Sequence, residues 1–95
     1  MDTSRMKNQL EYVRDEAWGA VAQVGVAIAL RGGREQAPVH LVERQDRYRH
    51  VACAATRLLD GSMVNALSML NGQPCNTASV RKLCEQFPMH EGAEA

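Results

Sequence analysis

Aromatic side chains are scarce in this sequence: one tryptophan, two tyrosines and one phenylalanine make up 4% of 95 residues. A core with so few rings must be filled by alanine, valine, leucine and methionine, a composition that suits packed helices. Charge of either sign is not in excess. Eleven basic and eleven acidic residues give a net charge of zero, so there is no global pull toward nucleic acid or anionic lipid, although local patches stay open. Cysteines are few and odd in number, Cys53, Cys75 and Cys84, with no close pair. Residues 1–16 mix acids with bases and do not read as an export signal. The thiols are therefore expected reduced, in the cytoplasm.

Other absences narrow the function. No C-x-x-C or H-x-x-x-H pair occurs and His40, His50 and His90 are scattered, so no zinc site is expected, nor any cofactor. Cys53 and Cys84 fall in helical patterns and read as small core residues; Cys75 falls in a loop without a histidine near it to make a nucleophile. Gly32 and Gly33 follow a helical pattern, whereas a phosphate-cradling loop leads from a strand into a helix. General acid–base work needs titratable groups converging in a pocket, and no such constellation is visible. The expectation is a protein without enzymatic activity.

A run of about 20 apolar residues, as a membrane span requires, is also missing. The longest apolar stretch is the fourteen residues Ala17 to Leu30, with Gln23 its one polar side chain, set between Arg14-Asp15-Glu16 and Arg31. Leu10, Val13, Ala17, Ala20, Val24 and Ala27 recur in steps of three and four, and Val21 and Ile28 widen their stripe. This predicts a helix over 5–30, about 39 Å long at 1.5 Å per residue. Gly19, Ala22, Gly25 and Ala29 form a second, small-residue surface, and Trp18 sits off the main stripe where something must cover it. An all-round apolar helix is normally a buried one, so its apolar half is expected in the core and its charged half beyond it. Val21, Val24, Gly25 and Ile28 are the residues expected at the bundle centre or at a dimer interface. A chain of 95 residues buries only a modest fraction of its surface, so covering every side is expected to take a second copy, which predicts a homodimer.

The rest of the chain reads as three more helices. Asp2, Thr3 or Ser4 can cap the first. Arg31-Gly32-Gly33-Arg34 ends it, and Pro38 suits the first turn of a second, running to about Leu59. The short connection makes these two antiparallel. Leu41, Tyr48, Val51, Ala52, Ala55, Leu58 and Leu59 form the second helix's stripe, interrupted by Arg44, four before Tyr48. Ser62 caps a third helix to about Asn71; Gly72 and Pro74 turn the chain; Asn76 or Thr77 caps a fourth, ended by Pro88. The fold class expected is all-α, a small bundle of about four helices whose first two are long and antiparallel and whose last two form a short helical hairpin. One domain spans 1–88, and 89–95 read as a disordered tail.

Two functions fit. The first is protein–protein interaction, as an inhibitor, adaptor or accessory regulator of the kind phages and mobile elements carry. Trp18, Arg44, Arg47 and Tyr48 are its candidate partner surface, because arginine, tyrosine and tryptophan are enriched at binding hot spots. In the second, residues 62–87 resemble a helix-turn-helix and a dimer binds DNA, with Thr77, Ser79, Arg81 and Lys82 contacting phosphate and base edges.

Overall fold

The computed structural model describes residues 3–88, which hold four helices and no strand. Helix α1 runs Thr3–Leu30, α2 Val39–Asp60, α3 Met63–Ser68 and α4 Thr77–Gln86. The all-α bundle is as expected, with boundaries close to the predicted ones. Thr3 and Ser4 lie inside α1 rather than ahead of it, and Pro38 occupies the cap position before α2 rather than its first turn. Asp2 and the tail 89–95 lie outside the described residues.

Local chemistry sets each helix end. Gly33 N–H donates to Ile28 C=O and Gly32 N–H to Ala29 C=O, both at 3.0 Å, while Gly32 adopts φ 95°. That is a Schellman ending, in which a left-handed glycine turns the last amides back onto orphan carbonyls. Arg31 Nη1 adds a bond to Ala27 C=O at 3.1 Å. Ser62 Oγ accepts from Asn65 N–H at 3.3 Å and Asn76 Oδ1 from Ser79 N–H at 2.9 Å, capping α3 and α4. α3 stops at Ser68, three residues short of the expected end; Asn71 and Gly72 then take left-handed φ of 54° and 85° and reverse the chain.

The two long helices form an antiparallel hairpin, with Gln45 early in α2 bonding to Val21 late in α1. One apolar cluster fills the interior: Met6, Leu10, Val13 and Ala17 of α1, Val51, Ala52, Ala55 and Leu58 of α2, Ala66 and Leu70 around α3, and Val80 and Cys84 of α4. Each valine or leucine buried there contributes about 1.5–3 kcal/mol. Helix α4 is fastened to α1 by Thr77 Oγ1 donating to Gln9 Oε1 at 2.7 Å and by an Arg81–Glu16 ion pair. Cys75 Sγ rests 3.8 Å from Met6 Sδ.

This reverses the expected division of α1. Its charged first half is the buried one, because α2, α3 and α4 all close on the narrow stripe Met6-Leu10-Val13-Ala17. Its apolar second half is packed on one side only, so that Val26 is 60% and Leu30 82% exposed. Val21, Val24 and Gly25 are half-buried and Ile28 is buried. Trp18 is not covered either, at 42% exposure.

Candidate functional site

A cleft of about 510 Å³ lies along the hairpin between α1 and α2. Trp18 forms one wall. Asp46, His50, Cys53 and Arg57 recur on α2 at i, i+4, i+7 and i+11, so they share a face, with Arg49 and Thr56 beside them. The lining is mainly apolar with two guanidinium groups, an arrangement able to hold a side chain of a partner and an acid next to it.

The charges here are unequal in their commitments. Arg34 Nη2 clamps Asp46 Oδ1 and Oδ2 at 3.1 and 3.2 Å, and Arg49 Nη1 approaches Oδ1 at 3.7 Å. The acid is thus neutralised from two sides, whereas Arg57 has no ion pair among the described residues. Thr56 Oγ1 is turned back to Ala52 C=O at 2.9 Å. His50 Nε2 is buried without a hydrogen-bond partner among the described residues, and a buried polar atom left unpaired is costly enough to demand an explanation. Cys53 is half-buried at this cleft rather than in the core.

The expected partner surface is divided. Trp18 belongs to this cleft, but Arg44, Arg47 and Tyr48 stand on another face of α2 and share a separate groove with Val51 and Glu85 of about 190 Å³. Tyr48 also borders a larger recess with Ala17, Ala20 and Arg81. Trp18 and the set Arg44, Arg47 and Tyr48 therefore line different recesses. His50, Cys53 and Arg57 were the partners of Trp18 that sequence reading missed, and the i, i+4, i+7 recurrence was the available signal.

Two of the four candidate DNA-contacting side chains are committed within the chain. Thr77 bonds Gln9 and Arg81 pairs with Glu16, while Ser79 is half-buried and Lys82 exposed. Helices α3 and α4 pack on α1 and α2 and not on each other, whereas a helix-turn-helix needs its two helices set against one another.

Chemistry at the thiols is limited. Burial pushes the Cys84 thiol up to about 12, with Glu85 adding to the shift, so it stays protonated. No group of three or more His, Cys, Asp or Glu among the described residues could hold a metal, and no helix there is long and apolar enough to cross a membrane. The chain matches no protein-family model, no curated protein and no solved structure.

Proposed function

We propose that this chain is a non-enzymatic binding protein, an inhibitor, adaptor or accessory regulator, whose partner protein seats a side chain in the Trp18 cleft. The observation that carries this reading is the cleft itself: the sole tryptophan, 42% exposed, beside Arg57 and Arg49. Tryptophan and arginine are the side chains that most often dominate binding energy when a partner dries them. His50 Nε2 supplies a polar group that a partner can satisfy. Three free thiols suit a reducing cytoplasm as the place of action.

Affinity capture with the intact chain tests the reading. A defined set of proteins is expected with the unaltered chain and with Lys7→Ala, and is lost with Trp18→Ala or Arg57→Glu while the helical circular dichroism is unchanged. An identical captured set for Trp18→Ala, or none with the unaltered chain, would overturn it.

A further inference from the structure

The Trp18 cleft has a cation to spare and no free acid to match it. Of the described side chains that line it, Asp46 is the one carboxylate. That acid is taken: Arg34 holds both its oxygens, at 3.1 and 3.2 Å, and Arg49 closes on Oδ1 at 3.7 Å. Thr56 has given its proton to Ala52 C=O. Arg57, in contrast, is exposed and has no ion pair among the described residues, although Asp60 stands one turn beyond it. Arg49 and Arg57 are i−4 and i+4 to Cys53, so the two guanidiniums bracket that half-buried thiol on one face of α2, about 12 Å apart along the helix axis. Trp18 supplies the facing wall from α1.

Building on the reading of this cleft as the docking site, we infer that its occupant is an acidic segment of a partner protein. The segment lays an aliphatic or aromatic side chain on Trp18 and Cys53 and places a carboxylate on the Arg57 guanidinium. The planar fork of arginine matches a carboxylate with two parallel bonds, which gives the contact its orientation as well as its strength. A cleft of about 510 Å³ is large enough for the anchor side chain and its acidic neighbour to enter together. A basic segment is selected against, because its cation would meet Arg57 with like charge and would find Asp46 already occupied. A nucleic acid is selected against for a different reason. Its affinity comes from neutralising many phosphates, whereas here Asp60 follows Arg57 by three residues and Asp15 precedes Trp18 by three. One carboxylate fits among such acids; a run of phosphates does not.

A library of random peptides displayed on phage and panned on the intact chain tests this. Enriched peptides are expected to carry Asp or Glu at a fixed spacing from an aliphatic or aromatic residue. A synthetic copy of one, titrated against the fluorescence of the sole tryptophan, gives its Kd. Arg57→Ala should weaken that Kd roughly tenfold. Arg57→Glu should reject the peptide and recover binding when the peptide's acid is replaced by lysine, an exchange that a merely structural arginine would not produce. Arg57 is exposed, so helicity should be unchanged in both variants. No enrichment, enriched peptides without an acid, or an Arg57→Glu chain that treats acidic and lysine peptides alike would overturn the inference. So would enriched peptides that copy a segment of this chain, which would make a second copy the occupant, or displacement of the bound peptide by a random DNA duplex, which would make it a polyanion. Acid-free peptides that are lost with Trp18→Ala would sink the acidic occupant and leave the cleft standing as a docking site. Peptides that bind Trp18→Ala as well as the unaltered chain would sink both.

Discussion

Alanine at Gly19 and alanine at Gly25 should move stability in opposite directions, although both are the same substitution in the interior of one helix. The propensity gain is common to both, about 1 kcal/mol. At Gly19 the new methyl meets open space, so the gain should appear in full and raise Tm by about 4–8 °C in a domain of this size. At Gly25 the methyl must displace Gln45, the one buried polar side chain among the described residues, 8% exposed. Gln45 is held from two sides: its Oε1 accepts from Arg34 Nη1 at 2.6 Å and its Nε2 donates to Val21 C=O at 3.3 Å. Weakening the charge-assisted bond alone costs about 1.5–3 kcal/mol, so the net change should be a loss on the order of 1 kcal/mol. Thermal unfolding followed by far-UV circular dichroism, at a concentration low enough to keep the chain monomeric, reads both. Gln45→Ala supplies the control: in that background Gly25→Ala should regain its stabilising sign, giving a coupling between neighbours of about 1 kcal/mol or more. If Gly25→Ala raises Tm as much as Gly19→Ala does, Gln45 is not pinned and the clamp does not order the hairpin.

Further outcomes follow from burial and charge. Leu10→Ala should cost about 2–5 kcal/mol in denaturant unfolding, whereas Leu30→Ala should stay within about 0.5 kcal/mol; the opposite order would return the apolar half of α1 to the core. Cys84 has a folded-state pKa raised from 9.0 to about 12, so its contribution is whole below pH 9 and is lost as pH climbs toward 12, when the unfolded thiol ionises and the folded one does not. Unfolding midpoints at alkaline pH should therefore fall less steeply in Cys84→Ala than in the unaltered chain, and an equal slope in both would refute the assignment. A labelled random duplex titrated at low salt should show no binding that weakens steeply with added salt; such a dependence would mean that phosphates are being neutralised and would revive the DNA reading.

What the sequence made legible was set by local chemistry, and what it hid was set by docking. Asn76 and Ser62 announced two helix starts because a cap needs only the next turn, and Gly32 announced an end for the same reason. The half of α1 that is buried was misread, because burial depends on where α3 and α4 come to rest. Met6, Leu10, Val13 and Ala17 are four apolar positions among charges, enough for a seam once three helices converge on it. The run after Ala17, broken only by Gln23, is the louder signal, yet of its residues only Ile28 is buried. Gln45 gave no sign at all: nothing local tells a surface glutamine from one that bonds Arg34 and seats on Gly25. The cleft was half visible. Trp18 stood out by its type, but joining it to His50 and Arg57 required the hairpin's register.

The fastening of α4 onto the start of α1 has a kinetic consequence. Gln9 and Thr77 are 68 residues apart in the chain, Met6 and Cys75 69, and Glu16 and Arg81 65. The stripe that anchors the interior therefore cannot be sealed by its neighbours in sequence; it waits for the last helix to be made. Long-range closures of this kind are the slow steps of folding. During synthesis the hairpin of α1 and α2 can form first, with Met6, Leu10 and Val13 still open on one side, and the molecule becomes cooperative only when Val80 and Cys84 arrive. A chain shortened before Thr77 should thus remain helical in part and bind hydrophobic dye, a nascent intermediate caught before its final step.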